Sequence, residues 1–123
     1  YVGGLMSTVK ANDLTNVTGG IPTVKSQQLI PTAWVKFNGT GTVNINDSEN
    51  VSSITDLSTG TYTINFIVAM SNTSYSVADS DGDWGRGWIQ GWTTGSIQTR
   101  RRNESGGYVD APHISIIVLG GQA

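Results

Sequence analysis

Residues 60–68 have the sequence GTYTINFIV, in which apolar and polar residues alternate. Successive side chains of an extended chain point to opposite faces, so alternate residues share one face. The apolar face consists of Tyr62, Ile64, Phe66 and Val68. Threonine and asparagine side chains form the other face. This pattern predicts a β-strand with one face in a hydrophobic core, and it decides the fold class.

The same alternation occurs on both sides of this stretch. Residues 33–37 (AWVKF) and 42–46 (TVNIN) alternate around a glycine-rich turn, which predicts a hairpin with Val43 and Ile45 facing inward. The other predicted strands cover residues 51–56, 75–78, 96–102 and 113–119. About seven short strands at spacings of roughly ten residues are typical of an antiparallel β-sandwich. The predicted fold class is therefore all-β, with almost no helix.

Residues 1–32 differ from the rest, because glycine pairs and prolines interrupt every apolar pattern in them. This segment predicts an extended lead-in that pairs with a sheet edge or wraps a neighbouring subunit. The β-sandwich domain is expected to cover residues 33–123. The chain starts with Tyr1 and lacks the pattern of a signal peptide, so we expect a fragment of a longer protein.

The amino-acid composition disfavours several classes of protein. Of the 123 residues, 13% are charged and 37% are hydrophobic, which disfavours both a coiled coil and wholesale disorder. A net charge of −2 disfavours general nucleic-acid binding. The chain has no cysteine, and its longest apolar run is far too short to span a bilayer. The sequence therefore predicts neither a nucleic-acid partner nor membrane insertion.

Three blocks of sequence identify a resemblance. They are AWVKFNGTG at 33–41, NVSSITD at 50–56, and GTYTINF at 60–66 followed by Ala69-Met70. In order and spacing they resemble a module common at the C-terminal ends of tail-fibre proteins of tailed bacteriophages. The sequence YSV at 75–77 is similar to the next strand of that module. Residues after 78 depart from the family pattern, so the resemblance assigns no function to them.

The resemblance implies a homotrimeric β-sandwich, similar in outline to H-type lectins, in the tail fibre of a virion. It implies contact with other virion tail proteins and with a host cell-surface glycan or outer-membrane component outside the cell. The alternative is a structural virion module for trimerisation or attachment, without receptor contact. The matched residues are expected to be framework rather than binding site.

Residues 84–92, WGRGWIQGW, have a tryptophan at every fourth position. In a strand, the large side chains would share one face, and these are Trp84, Arg86, Trp88, Gln90 and Trp92. Indole rings stack on sugars, while Arg and Gln donate hydrogen bonds to hydroxyls. The intervening glycines would let another backbone approach the opposite face. The competing interpretation is that the tryptophans pack against other subunits or in the core.

Three consecutive arginines follow at 100–102. Arg100 and Arg102 are predicted to share a face with Gln98, and Arg101 to face the other way. One interpretation is a solvated edge strand whose charges prevent aggregation. The other is recognition of phosphate or acidic sugars by guanidinium groups. The predicted receptor-binding surface consists of side chains on loops between positions 79 and 108. Its candidate residues are Trp84, Arg86, Trp88, Gln90, Trp92, Arg100, Arg102 and Tyr108.

Asp79, Asp81 and Asp83 resemble the opening of a calcium loop, in which alternate carboxylates converge on the cation. The twelfth position holds Gln90 instead of the glutamate that such loops need. A polar loop at 79–83 with a plain Asp-Gly hairpin turn is the competing interpretation. No cofactor is expected, and calcium at these aspartates is the only metal hypothesis.

Catalysis has little support in the sequence. His113 is the only histidine, and although Asp110 is near it, the chain has no Gly-X-Ser-X-Gly motif. No pair of carboxylates is marked out for glycoside hydrolysis. The sequence therefore predicts a binding module and not an enzyme.

Overall fold

In a computed structural model, the protein is described at residues 30–81 and 85–121, and at positions 8, 10–12, 14, 15, 17 and 18. Eight β-strands and no helix occur within these residues. The strands are β1 (Ala33–Asn38), β2 (Asn44–Glu49), β3 (Val51–Ser58), β4 (Thr61–Phe66), β5 (Tyr75–Asp81), β6 (Arg86–Gln90), β7 (Ser96–Arg102) and β8 (Ile114–Gly120). The prediction of an all-β fold with short strands is confirmed.

The strands form two four-stranded antiparallel sheets that pack as a sandwich. Their orders are β2-β1-β8-β5 and β3-β4-β7-β6, so β2, β5, β3 and β6 are the edge strands. The β1–β2, β3–β4 and β6–β7 connections stay within one sheet, whereas the other connections cross between sheets. Strand β7 lies inside its sheet, between β4 and β6.

The hydrophobic core fills the space between the sheets. The alternation of side chains along each strand provides this core, because the apolar residues of β1, β4 and β8 point inward while the residues between them point outward. The buried apolar residues are Ala33, Val35, Phe37, Val51, Tyr62, Ile64, Phe66, Met70, Tyr75, Ile97, Ala111, Ile114, Ile116 and Val118. Phe37 and Tyr62 pack edge to face across the core, with ring centroids 5.3 Å apart. Val43 and Ile45 are partly buried against this core, as predicted.

The prediction for Val68 is wrong, because this side chain is 65% exposed. Strand β4 ends at Phe66, and the chain then leaves the sheet. Hydrogen bonds from the Asn50 side chain to the Val68 backbone hold this departure in place. The Asn50 side-chain oxygen accepts from the Val68 N–H at 2.7 Å, and its amide donates to the Val68 carbonyl at 3.1 Å. Asn50 itself has a positive φ of 55°, which lets the chain pass from β2 to β3 in the other sheet.

The prediction of a polar loop at 79–83 is also partly wrong. Strand β5 continues through Asp81, where it still pairs with β8. The interpretation of a hairpin at this position is wrong, because β5 and β6 belong to different sheets and do not pair with each other. The expected lead-in at 1–32 lies largely outside the described residues. Its last residue, Thr32, is buried and donates from its backbone N–H to the Val118 carbonyl at 2.8 Å.

Candidate functional site

The outward faces of β6 and β7 carry large polar and aromatic side chains in facing pairs. Residues on β7 alternate between half-buried and buried, as predicted from the sequence. In the register of the two strands, Arg86 faces Arg102, Trp88 faces Arg100, and Gln90 faces Gln98. The sheet therefore brings together two segments that are separate in sequence, one rich in tryptophan and one rich in arginine. The expectation that the candidate residues lie on loops is wrong for those of β6 and β7, which lie on paired strands.

A short turn adds Tyr108 to this surface. The Asn103 N–H donates to the Gly107 carbonyl at 2.9 Å, and the Gly107 N–H donates to the Asn103 side-chain oxygen at 2.9 Å. Gly106 has a φ of +85°, a conformation that glycine adopts without a steric penalty. The chain consequently folds back, and Tyr108 forms a backbone bridge with Arg102.

The side chains of Trp88, Arg100, Arg102 and Tyr108 form an arginine–aromatic cluster. The Arg102 guanidinium carbon lies 5.1 Å from the centre of the Trp88 ring and 4.6 Å from that of Tyr108. The Arg100 guanidinium carbon lies 5.8 Å from the Tyr108 ring centre. These distances are in the range of cation–π attraction. The rings thus hold both guanidiniums on the outer face of the sheet.

Hydrogen bonds connect both arginines to the same oxygen atom. Nη1 of Arg100 and Nη2 of Arg102 each donate to the Tyr108 hydroxyl oxygen at 3.1 Å. Gln90 and Gln98 are joined by an amide–amide hydrogen bond of 2.9 Å. With both amides turned so that the Gln90 oxygen is the acceptor, this oxygen also accepts from Nε of Arg100 at 2.9 Å and from Nη2 at 3.2 Å. Arg100 is therefore fixed at both ends of its guanidinium group.

The electrostatics of the cluster are strongly positive. The hydrogen bond from Arg102 to the Tyr108 hydroxyl is the main cause that lowers the pKa of Tyr108 below its usual value, and Arg100 acts in the same direction. Among the side chains that the structure describes, no carboxylate lies within ion-pair distance of Arg86, Arg100 or Arg102. Among these described side chains, no carboxylate compensates the positive charge of the three guanidinium groups.

Arg101 has a different environment from its two neighbours. Its side chain is 1% exposed between the sheets, where it forms an ion pair with Asp79 of β5. The Thr99 hydroxyl donates to the same carboxylate at 3.3 Å. The interpretation of residues 100–102 as a solvated edge strand is therefore wrong, because β7 is an interior strand and Arg101 joins the two sheets.

Gly87 makes room for the buried Arg101 guanidinium. A Cβ atom at this position would lie 2.8 Å from Cζ of Arg101 and 2.9 Å from Oδ2 of Asp79. The sequence predicts that a neighbouring backbone approaches the glycine-lined face of 84–92. At Gly87 the group that approaches is instead the side chain of Arg101. Sequence reasoning missed this role, since neither Asp79 nor Arg101 is near Gly87 along the chain.

The predicted tryptophan face is only partly formed. Arg86, Trp88 and Gln90 share the outer face of β6, as expected. Strand β6 ends at Gln90, and Gly91 takes a φ of +61°, so period two does not extend to Trp92. Trp92 is 43% exposed in the turn between β6 and β7. Trp84 lies outside the described residues.

The aspartates of the calcium hypothesis do not all lie in the described part of the chain. Asp79 is a residue of β5, and its carboxylate binds Arg101 instead of facing a loop. Asp83 and the side chain of Asp81 are not described. Among the described residues, no group of three histidine, aspartate or glutamate side chains is arranged to hold a metal ion.

Asp110 has a structural contact that sequence reasoning did not find. Its Oδ1 atom accepts from the Gly60 N–H at 2.7 Å and lies 2.7 Å from the Tyr62 hydroxyl. His113, the other residue considered for catalysis, is exposed at the start of β8. The carboxylate at 110 therefore ties the β3–β4 turn to the segment that precedes β8.

Comparisons with protein-family models, curated proteins and solved structures found no match to this chain. Within the described residues, no helical segment has the length and apolar character needed to cross a membrane. The arginine–aromatic cluster offers hydrogen-bond donors, aromatic rings and positive charge on the outside of a rigid sheet.

Proposed function

We propose that this chain is a homotrimeric tail-fibre domain of a tailed bacteriophage that binds a host cell-surface receptor, most simply a glycan. The observation that carries the proposal is the arginine–aromatic cluster on the outer face of β6 and β7. Such a domain acts outside the cell, as part of the virion, and contacts other tail proteins. The proposal assigns it a binding role without catalysis.

The chemistry of the cluster supports glycan binding. Sugar hydroxyls accept hydrogen bonds from guanidinium and amide groups, and the apolar faces of sugar rings contact aromatic rings. Arg100 and Gln90 hold each other in place, and Arg102 is stacked on two rings. Side chains that are already ordered lose less conformational entropy when a ligand binds. In a trimer, three such sites would add avidity to a weak single contact.

A second candidate function is a structural virion module without receptor contact. It is favoured by the outer face of the other sheet, where Ile117 is 46% exposed and Leu119 is 40% exposed, with Trp34 facing Ile117 on the adjacent strand. Apolar side chains that adjoin one another on a sheet surface are suited to contact between subunits. This face is compatible with trimerisation under either function.

Adsorption to bacterial cells tests the proposal. The labelled chain is added to a panel of bacterial strains, and bound label is measured with and without an excess of unlabelled chain. We expect saturable binding to some strains, and weaker binding for Trp88→Ala, Arg100→Ala and Arg102→Ala. Lys36→Ala is the matched control, since it removes an exposed positive charge from the opposite sheet.

Two further measurements separate the alternatives. Circular dichroism establishes that each variant is folded, and sedimentation equilibrium gives the number of subunits. A folded trimer that adsorbs to no strain in a panel that includes the host of the parent virus would contradict receptor binding and favour the structural module. A folded monomer would contradict the trimer in both functions.

A further inference from the structure

The two outward arginines of β7 converge on a single oxygen atom. Both guanidiniums donate to the Tyr108 hydroxyl at 3.1 Å, although that hydroxyl carries no charge in its usual form. Guanidinium groups form their strongest hydrogen bonds with carboxylate and phosphate oxygens. The Tyr108 hydroxyl therefore occupies a position that is better suited to an oxygen of an anion.

The charges around this position are not balanced within the described part of the protein. Arg86 and Arg102 face each other on neighbouring strands, and like charges in facing positions repel. The described carboxylate that is nearest in sequence, Glu104, lies exposed in the turn after β7 and forms no ion pair with a described arginine, while Asp79 binds Arg101 on the inner side of the sandwich. Because the whole chain has a net charge of −2, this positive face is a local feature rather than a result of a basic composition.

The arginines are also held in position without the ligand. Gln90 accepts from two nitrogen atoms of Arg100, and two rings enclose Arg102. The Nε atom of Arg102 is buried and has no hydrogen-bond partner among the described residues, which costs free energy in the unliganded protein. A site that keeps two cations ordered at such a cost is suited to a ligand of opposite charge.

We infer that the receptor of this domain is an acidic glycan, whose carboxylate or phosphate group binds between Arg100 and Arg102 where the Tyr108 hydroxyl now accepts. This inference rests on the proposed function and specifies the ligand class of the same site. Tyr108, which is 41% exposed, offers ring surface for the neutral part of the sugar chain. An acidic glycan is favoured over a nucleic acid because binding to a nucleic-acid backbone needs a basic excess over an extended surface, whereas the positive charge here is confined to one cluster in a chain of net charge −2.

The test uses the surface polysaccharide of a strain to which the chain adsorbs. Calorimetry compares the native polysaccharide with samples whose carboxyl groups are reduced or whose phosphates are removed. We expect one of these treatments to weaken binding by about 10- to 100-fold, because a charge-assisted contact is lost. Whichever treatment weakens binding identifies the anion as carboxylate or phosphate. Arg100→Gln and Arg102→Gln should cause a similar loss, whereas Lys36→Gln should not.

A spectroscopic measurement follows Tyr108 directly. The ultraviolet absorbance of the phenolate is recorded against pH, and the Tyr108 signal is the one that disappears in Tyr108→Phe. Binding of an anion removes the guanidinium hydrogen bonds from the hydroxyl and places negative charge beside it. We therefore expect the native polysaccharide to raise the pKa of Tyr108, and the treated polysaccharide to leave it unchanged.

The possible failures of this inference differ from those of the proposed function. If cells adsorb the chain but both treated polysaccharides bind as well as the native one, the acidic glycan is wrong and the receptor function stands. If no form of the polysaccharide binds, or if a single-stranded oligonucleotide binds more tightly, the inference is also overturned. If the chain adsorbs to no cell, the proposed function itself fails.

Discussion

Arg101 lies between the two sheets with 1% of its side chain exposed, whereas Arg100 and Arg102, one residue to either side, lie on the outer face. The first binds a carboxylate from the opposite sheet, and the other two bind a tyrosine hydroxyl and aromatic rings. All three have the same side chain. The alternation of a β-strand thus places one arginine in the interior, where it joins the two sheets, and the other two on the outer face.

The same contrast applies to tyrosine. Tyr62 is fully buried, and its hydroxyl lies 3.0 Å from the Gly39 carbonyl oxygen in the core, while Tyr108 is 41% exposed beside two arginines. Burial raises the pKa of Tyr62, whereas the arginines lower the pKa of Tyr108. Position relative to the sheets therefore decides what a side chain does, and the following variants test that difference.

The largest effect is expected for Arg101→Met. It leaves the carboxylate of Asp79, which is 11% exposed, without its ion-pair partner. Breaking a buried ion pair by removing one partner costs about 3–5 kcal/mol of unfolding free energy. Urea denaturation followed by tryptophan fluorescence measures the loss. The double variant Asp79→Leu/Arg101→Met should recover most of it, and a single-variant loss below about 1 kcal/mol would refute the role of the pair.

Gly87→Ala should destabilise the protein next most strongly. Its Cβ would approach Cζ of Arg101 to 2.8 Å, and overpacking of this kind costs about 1–3 kcal/mol. Gly95→Ala is the matched control, because nothing lies within 4 Å of a Cβ there. Thermal unfolding of both variants gives the comparison. In the Arg101→Met background the penalty at Gly87 should shrink, and an unchanged penalty would assign it to another contact.

Tyr62→Phe should cost about 1–2 kcal/mol, because it leaves the Gly39 carbonyl oxygen and Asp110 without the buried hydroxyl. Tyr108→Phe changes an exposed residue and should have a much smaller effect on unfolding. Chemical denaturation of the two variants checks this. Equal losses would remove the distinction between buried and exposed tyrosines.

Alkaline pH should reveal the same distinction. Burial raises the pKa of Tyr62 and raises that of Tyr75 from 10.0 to about 12, so both favour the folded state while they are protonated. Their contribution is complete below pH 10 and is lost as the pH rises through their folded pKa values. Tyr108, whose pKa is lowered, should ionise first in an ultraviolet titration. A Tyr108 that ionises last would contradict its contact with the arginines.

The smallest effects on stability are expected for Arg100→Ala and Arg102→Ala. Substitutions on the outer face change the unfolding free energy by less than about 1 kcal/mol, since these side chains form no ion pair with a described carboxylate. The same denaturation assay measures them beside Arg101→Met. Losses comparable to that of Arg101→Met would show that the outer arginines are structural.

Most of the fold could be predicted because alternation is a local signal. The strand at residues 96–102 was predicted with its observed bounds, and its two faces were assigned correctly. The same pattern alone predicts that Arg100 and Arg102 point to the same side of the strand. What could not be predicted is how strands from distant parts of the chain meet. The pairing of Asp79 with Arg101 and of Tyr62 with Asp110 depends on the order of strands in the two sheets, which periodicity does not contain.

The failures at Val68 and at residues 79–83 have local physical causes. Val68 continues the apolar alternation, but the Asn50 side chain binds its backbone and ends the strand earlier. The turn-forming residues at 79–83 predict a loop from composition alone. The ion pair with the buried Arg101 nevertheless allows Asp79 to remain in strand β5. In both places a single side chain from another element overrides the local pattern.

The three facing pairs on the outer side of β6 and β7 form a compact set of outward-facing positions. None of these six side chains belongs to the buried core, so substitutions there need no compensating change in the interior. Variation at few positions on a fixed scaffold is the arrangement that antibodies use to acquire new specificities. Under the proposed receptor function, a switch of receptor would require only point substitutions on two adjacent strands, which makes the evolutionary distance between specificities short.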